Sequence, residues 1–357
     1  MRGHSIASTI VVAYCVVVGN FVDAEEPKII ALDHFENELA LKWRPVRADA
    51  GAVSLTEKPG ALTIITQPGS LGRAGSRVPA KNLYLIDNPV ANGGDFVVTT
   101  CIVGFKPSQK WQQAGLLIYN DDDHYLKNDM EFSGTATRFK FIREWQAEQK
   151  IYTDSTVPKS DRIWIRVVKR GNVYERLYSV DGNEFRTAGE RTWGNGSPLR
   201  LGLIAINGPT NADRLAASFD FFEIRKLTKQ EANDPRKHAR DKLQGPWKVT
   251  SCEHEGQPVS DSPFSEFTFK DGRISLIEKG HEINSEYELD MRTDPHTFKL
   301  LDSGFSTTKT ANGIFKLEDG TLWICLSLKE KGRTPLEFKT VKGDQRLLLK
   351  LQREKEN

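Results

Sequence analysis

Short runs of β-forming residues, separated by turn residues, extend from Ile29 to Arg353 and constrain the fold more than any other feature. Several runs alternate apolar and polar residues, as between Arg162 and Val167, so each such strand is predicted to bury one face and expose the other. Asp-Gly pairs at positions 181, 271 and 319 are typical of tight hairpin turns. Because many strands follow each other without helical periodicity, the sequence predicts an all-β protein.

The strand pattern is interrupted between Leu227 and Leu243. This segment is polar and rich in charge, and it predicts a linker with one helical turn before Asp234-Pro235 and another from Arg236. We therefore expect a leader at residues 1–24, a β-sandwich at 28–227, a polar linker at 228–243 and a small antiparallel barrel at 244–354.

The first 24 residues have the layout of a secretory signal peptide. A basic start at Arg2 precedes the mostly apolar run Ile6–Val18, and small residues lie just before Glu25. The apolar run is shorter than the roughly 20 residues that span a bilayer, and no later segment is predicted to cross a membrane. We expect a cleaved leader and a secreted, periplasmic or cell-envelope protein. A retained amino-terminal anchor and lipid modification of Cys15 remain alternatives.

Charge and cysteine content limit the partners and cross-links. The formal net charge is +2, from 50 basic and 48 acidic side chains that are interspersed, so no nucleic-acid partner is predicted. Cys101, Cys252 and Cys325 remain after the leader, and an odd number allows at most one bridge. A bridge between Cys252 and Cys325 stays open, whereas Cys101 is interpreted as a small buried apolar residue. No Cys or His pair has the spacing of metal ligands.

The larger domain resembles a known sandwich family. The segments DHFENELALKWRP, from Asp33, and WQQAGLLIYNDDDHYLKNDMEF, from Trp111, are similar to concanavalin A-like domains. The resemblance is to the accessory domain carboxyl-terminal to family 43 β-xylosidases and to related free-standing modules, and it spans about Ile29 to Lys226. It implies a jelly-roll sandwich that contacts sugar or supports a catalytic partner, and it implies no catalytic residues.

The smaller domain resembles an exported domain of unknown function that is expanded in planctomycete bacteria. The matching segments are LQGPWKVTSCEHEGQPV, FTFKDGRISL and GIFKLEDGTLWICL, and Pro246 departs from a usual Thr. The resemblance covers residues 244–353 and implies a lipocalin-like barrel, with Trp247 closing one end. An eight-stranded barrel of this size either holds a small ligand or is filled by its own side chains, and both alternatives stay open.

Aromatic side chains are the candidate sugar-binding residues, because their flat faces stack on sugar rings. The candidates are Trp111, Tyr125, Trp145 and Trp193. Trp111 and Trp193 lie in polar, loop-like surroundings, where burial is less automatic. Partial packing against the protein remains the alternative for each of them.

Acidic residues provide weaker candidates. Asp121, Asp122 and Asp123 form a dense cluster that offers oxygen ligands to calcium, although a solvated turn is the alternative, and no other cofactor is predicted. Glycosidases need two carboxyl groups that flank the bond, and Glu131 and Glu144 lie on predicted strands, but no motif pairs either with a second carboxylate. No nucleophile elbow or Gly-rich phosphate loop is present in the sequence.

The sequence therefore predicts an exported, non-catalytic, carbohydrate-associated binding protein with an accessory barrel, whose partner is a polysaccharide or oligosaccharide. Two alternatives remain. One is a glycoside hydrolase-type enzyme that uses the sandwich cleft, and the other is an envelope module that binds proteins.

Overall fold

The computed structural model describes residues 26–72, 78–146, 148–194, 196–301, 310–329 and 332–353. The amino-terminal part consists of strands with short 3-10 turns at Ala50–Ala52 and Ala91–Gly93. Its strands are β1 (Ile29–Asp33), β2 (Val53–Ser54), β3 (Leu62–Ile65), β4 (Tyr84–Asp87), β5 (Phe96–Val103), β6 (Gln113–Asp121), β7 (His124–Phe132), β8 (Thr137–Trp145), β9 (Glu148–Thr156), β10 (Arg162–Arg170), β11 (Val173–Ser179), β12 (Arg186–Thr192), β13 (Arg200–Ile206) and β14 (Ala216–Arg225).

These strands form two antiparallel sheets that enclose one apolar core. The eight-stranded sheet has the order β12-β11-β10-β5-β14-β3-β2, with β1 paired to β14, and the six-stranded sheet has the order β4-β13-β6-β7-β8-β9. Phe96 and Ile165 of the first sheet and Leu116 and Phe139 of the second are buried in this core. The predicted concanavalin A-like sandwich is confirmed.

The carboxyl-terminal part is a closed antiparallel barrel. Its eight long strands are joined in a ring because β15 pairs with both β17 and β23, and β16 adds a short pairing to β15. The strands are β15 (Gly245–His254), β16 (Gln257–Pro258), β17 (Phe264–Lys270), β18 (Arg273–Glu278), β19 (His281–Asp290), β20 (His296–Leu301), β21 (Thr310–Glu318), β22 (Thr321–Ser327) and β23 (Arg346–Arg353).

Side chains of the barrel itself fill its interior. Phe267, Leu300 and Leu349 are fully buried in a continuous apolar cluster. Trp247 is also buried in this cluster, and its indole N–H donates to the Leu243 carbonyl at 2.7 Å, whereas its role in closing one end of the barrel stays a prediction. Membership of the lipocalin-like family stays a prediction.

Turn chemistry explains how successive barrel strands reverse direction. Asp271-Gly272 and Asp319-Gly320 have positive φ at both residues, as a two-residue type I′ hairpin requires. The hairpins predicted from these Asp-Gly pairs connect β17 to β18 and β21 to β22.

Strand register keeps the two barrel cysteines apart. Cys252 lies opposite Leu349 of β23, whereas Cys325 lies opposite Leu348 of the same strand. Neighbouring residues of a strand face opposite sides, so the two thiols lie on opposite sides of the barrel wall. Cys101, Cys252 and Cys325 are all buried and free.

The polar segment between the sheets is helical. Helix α1 (Lys229–Ala232) begins with a capping box made by Thr228 and Glu231, and helix α2 (Pro235–Leu243) begins with Asp234 as its cap. Ala239 and Leu243 lie one turn apart on α2, and both are buried in the barrel core. The predicted helical turns are present, and one face of α2 covers an end of the barrel.

Guanidinium–carboxylate pairs join the barrel and α2 to the sandwich. Arg143 pairs with Glu286, and Arg191 pairs with Glu288, both through β19. The Asp271-Gly272 turn also packs against the sandwich, because a Cβ on Gly272 would lie 2.5 Å from the Thr192 side chain. No helix of the described residues has the length and apolar character needed to cross a membrane.

Candidate functional site

A row of charged side chains lies on the outer face of the six-stranded sheet, the face turned away from the eight-stranded sheet. Lys127, Asp129 and Glu131 alternate along β7 with Leu126 and Met130, which are buried in the sandwich core. Because successive side chains of a strand face opposite sides, the three charged residues share the outer face. This face is the candidate functional site.

Neighbouring strands add two further side chains to this polar row. Gln113 of β6 lies opposite Glu131, and Lys140 of β8 lies opposite Asp129. The Lys127 ammonium is 3.0 Å from Asp129 Oδ2 and also donates to the Gln113 amide oxygen. The Lys140 ammonium is 3.8 Å from Glu131 Oε1. We call these five residues the polar row.

Burial dominates the electrostatics of the polar row. It raises the pKa of Asp129, and the nearby Lys127 charge offsets only part of that effect. Burial likewise raises the pKa of Glu131, and the negative charge of Asp129 raises it further. Asp129 exposes none of its surface and Glu131 exposes 6%. The polar row is therefore mostly buried, and its most exposed side chains are those of Glu131 and Lys140.

A strap formed by residues 66–72 and 78–83 covers another part of the outer face. Its two halves are joined by the hydrogen bonds Ser70 N–H to Val78 O, at 3.1 Å, and Ala80 N–H to Ser70 O, at 3.0 Å. Together with the sheet the strap forms a second apolar cluster, which contains Leu71, Ala80, Leu83, Leu85, Leu117, Tyr119, Tyr125, Ile142, Ile204 and Ile206. The chain itself thus occupies the apolar part of this face.

Glu144 lies beneath the strap rather than within the polar row. A Cβ placed on Gly72 would be 2.0 Å from Glu144 Oε2. The strap therefore lies so close to this carboxylate that only glycine fits at position 72. The Gln149 amide donates to Glu144 Oε2 at 3.2 Å and to the Tyr125 hydroxyl at 2.7 Å. Glu144 and Tyr125 are both buried. The two candidate carboxylates of the sequence, Glu131 and Glu144, therefore lie at different ends of the sheet face.

Trp111 lies beside the polar row, just before β6. Its backbone N–H donates to the Phe132 carbonyl at 2.9 Å, and its own carbonyl accepts from the Gln113 amide at 3.0 Å. The Lys110 ammonium is 4.5 Å from the centre of the indole ring. Trp111 as a whole residue is half-buried.

The other three aromatic candidates lie at the Glu144 end. Trp193 is buried in the sandwich core, and its indole N–H donates to the Glu144 carbonyl at 2.9 Å. Trp145 is half-buried and contacts Trp193 edge to face, with ring centres 5.7 Å apart. Tyr125 is buried under the strap. The four candidates therefore do not form one surface, and Trp111 alone of the four lies beside the polar row.

The aspartate cluster forms the turn between β6 and β7. Asp121 accepts from the Asp123 backbone N–H at 2.9 Å. Asp122 forms an ion pair with Arg47 at 2.9 Å and accepts from the Tyr119 hydroxyl at 2.7 Å. Within the described ranges, no group of three or more His, Cys, Asp or Glu side chains is arranged to hold a metal ion. Calcium at this turn remains a prediction.

Sequence reasoning did not single out Lys127, Asp129 or Lys140. The period-two spacing of Lys127, Asp129 and Glu131 was the available signal, because it places all three on one face of a strand. Lys140 and Gln113 join them through strand register, which the sequence does not display.

Several solved structures are similar to part of this chain, among them proteins described as belonging to glycoside hydrolase family 43. The protein BlXynB from Bacillus licheniformis is 23% identical over 55% of this chain and 39% of its own, with a TM-score of 0.48. A xylan β-1,4-xylosidase from Bacillus halodurans is 18% identical over 57% of this chain and 40% of its own, with a TM-score of 0.45. The chain thus spans about two fifths of the length of these proteins.

Sequence comparison identifies the family. No curated protein sequence matches the chain. The family model described as the β-xylosidase C-terminal concanavalin A-like domain matches residues 32–225, more than half of the chain. This range contains both sheets of the sandwich, the polar row and the strap. The chain therefore belongs to the family of β-xylosidase C-terminal concanavalin A-like domains.

Proposed function

We propose that this is an exported, non-catalytic protein that binds a xylan-type polysaccharide on the outer face of the six-stranded sheet. The observation that carries the proposal is the position of a half-buried Trp111 beside the least buried end of the polar row, in a domain whose family accompanies β-xylosidases. An aromatic face beside a few fixed polar groups suits a sugar ring, which has apolar faces and hydroxyl edges.

The state of the carboxylates supports binding rather than hydrolysis. A catalytic carboxyl group must contact the glycosidic bond. A glycosidase needs two such groups, one on each side of the bond. Asp129 is fully buried and paired with Lys127, and Glu144 is covered by the strap. Glu131 is the carboxylate of the row with some exposed surface, so the face does not present two reactive groups.

The binding proposal is tested with the full chain on insoluble xylan. We expect wild-type protein to be retained and Trp111→Ala to bind at least about tenfold more weakly, because truncating an aromatic anchor removes much of a binding site's energy. Trp164→Ala is the matched control, since Trp164 is a half-buried tryptophan on β10 of the opposite sheet. Equal retention of all three proteins, or no retention of any, would contradict the proposal.

Hydrolysis is the second candidate, favoured by the raised pKa of Glu131, because a glycosidase acid must hold its proton near neutral pH. It predicts turnover of aryl β-xylosides that disappears in Glu131→Gln or Glu144→Gln. Steady turnover by wild-type protein that either substitution abolishes would replace the non-catalytic proposal.

Export rests on the first 24 residues, which lie outside the described part of the chain. The expected outcome is a mature protein that begins at Glu25 and is recovered outside the cytoplasm, as checked by mass spectrometry of the fractionated host. Recovery of the intact leader in the cytoplasmic fraction would contradict export.

A further inference from the structure

A cleft of about 950 Å³ lies between the sandwich and the barrel, away from the outer face of the six-stranded sheet. Its walls come from β11 and β12, from helix α2 and from β19 and β20. Ligand sites favour such junctions between domains and volumes of roughly 300 to 1,000 Å³. The cleft therefore has the position and size of a site for an oligosaccharide.

Ion pairs hold the walls of the cleft together. Arg236 of α2 donates to both oxygens of Glu175 on β11, at 2.8 and 2.7 Å. Arg170 lies 2.9 Å from Glu175 and 3.4 Å from Asp234. Because these side chains are mostly buried and bound at several atoms, the cleft is formed before any ligand arrives.

Each carboxylate that lines the cleft is held by a guanidinium group. The five are Glu175, Glu190, Asp234, Glu288 and Asp290. Arg240 binds Glu190, Arg191 binds Glu288, and Arg292 lies 2.7 Å from Asp290. The acidic groups of the cleft are therefore already neutralised.

Two exposed cations of the cleft are not part of these close guanidinium–carboxylate pairs. Lys299 of β20 is 45% exposed, and its ammonium is 3.9 Å from Glu288, a carboxylate already bound by Arg191. Arg186 of β12 is exposed, and the described residues provide no hydrogen-bond or ion-pair partner for its guanidinium group. Both side chains line the cleft, one from each domain. They leave the rim with a positive charge that suits an anion.

The floor of the cleft suits the ring of a sugar. Phe185 is half-buried, and the Arg166 guanidinium stacks on its ring at 3.5 Å from the centre, which fixes the orientation of the ring. Leu177 and Met291 add further apolar surface to the lining. An apolar surface beside exposed Arg186 and the loosely paired Lys299 matches a sugar ring that carries a carboxylate.

We infer that the cleft is a second binding site, which takes an acidic oligosaccharide composed of uronic acid residues. The carboxylates of the sugar lie against Arg186 and Lys299, and one ring lies over Phe185. This site does not include the polar row or Trp111, so it can be tested independently of the proposed xylan site.

The test is calorimetric titration of the full chain with tetragalacturonate and, separately, with neutral xylotetraose. We expect tetragalacturonate to bind wild-type protein, with an affinity that falls as NaCl is added. The double variant Arg186→Gln/Lys299→Gln should bind it at least about tenfold more weakly, because two charge-assisted contacts are lost. Phe185→Ala should also weaken binding, whereas Trp111→Ala should not.

The matched control is Arg44→Gln/Lys316→Gln, which removes one cation from each domain outside the cleft, exposed at Arg44 and half-buried at Lys316. It should bind tetragalacturonate like wild-type protein. Absence of tetragalacturonate binding, equal affinity of the two double variants, or xylotetraose binding that the cleft variants weaken to the same extent would each overturn the inference. Loss of xylan retention in Trp111→Ala alone would leave it unaffected.

Discussion

Removing Arg236 should destabilise the fold far more than removing a similar arginine on the surface. Arg236 binds Glu175 through two hydrogen bonds and Asp234 through its Nε and Nη2 atoms, and the side chains of these two acids are only 5% and 8% exposed. In Arg236→Gln, both carboxylates would share the single guanidinium of Arg170. Breaking a buried pair by removing one partner costs about 3–5 kcal/mol, because the other charge stays buried. We expect a loss of that size in the free energy of unfolding.

The chain contains a matched control for this substitution. Arg292 pairs with Asp290 at the same two-residue spacing as Arg236 with Asp234, but the Arg292 side chain is 78% exposed. Exposed pairs contribute about 0–1 kcal/mol, so Arg292→Gln should change little. Urea unfolding at pH 7, followed by tryptophan fluorescence, measures both variants. Losses that agree within about 1 kcal/mol would refute the argument that burial sets the strength of these pairs.

The same pair predicts a dependence on pH. Burial acts to raise the pKa of Glu175, but hydrogen bonds and charge from Arg236 and Arg170 outweigh it, so the pKa lies below its usual range. The pKa of Asp234 is lowered in the same way. A carboxyl group with a lowered pKa stabilises the fold above its unfolded pKa, and that stabilisation is lost as the pH falls through the folded value. The difference between wild-type and Arg236→Gln proteins should therefore shrink in acid, below about pH 4.

Three further predictions concern single residues. The pKa of Glu131 is raised, so its ionised form opposes folding, and Glu131→Gln should be more stable than wild-type protein at pH 8 but equal to it near pH 4. Urea unfolding measures this difference, and the opposite trend with pH would contradict the prediction. Both Gly72 and Gly60 have positive φ, but only a Cβ at Gly72 would clash, with Glu144, so Gly72→Ala should lower the thermal unfolding temperature more than Gly60→Ala. Equal decreases would contradict the packing of the strap. Cys101, Cys252 and Cys325 are all buried, and burial raises the pKa of the Cys101 thiol to about 12, so a thiol reagent at pH 8 should modify no cysteine in the folded mature chain and three after denaturation. Modification of only one cysteine after denaturation would indicate a disulfide.

Local sequence patterns predicted the strands and turns well. Alternation along β10 separates buried Ile163 and Ile165 from half-buried Arg162 and Arg166, as the sequence predicted. The Asp-Gly pairs predicted the barrel hairpins because positive φ at both positions is a local requirement that few residues meet. The helical turns around Asp234-Pro235 were also visible, since caps are made by neighbouring residues.

Contacts between distant residues were not predictable in this way. Arg236 and Glu175 are 61 positions apart, and nothing in either segment indicates the other. The polar row needed the register of β6, β7 and β8 before Lys140 could be placed beside Asp129. Trp193 follows β12 in a polar segment, yet its ring is buried in the core against Trp145 and Tyr174. Local polarity does not report such tertiary packing.

Hydrogen exchange with and without xylohexaose tests the central claim most directly, because it locates the sugar on the full chain. If the outer face of the six-stranded sheet holds the ligand, exchange should slow in peptides covering residues 108–113 and 129–140, which contain Trp111 and the least buried end of the polar row. Exchange should be unchanged in the barrel. Slowing that is confined to the barrel, or absent at saturating sugar, would contradict the account.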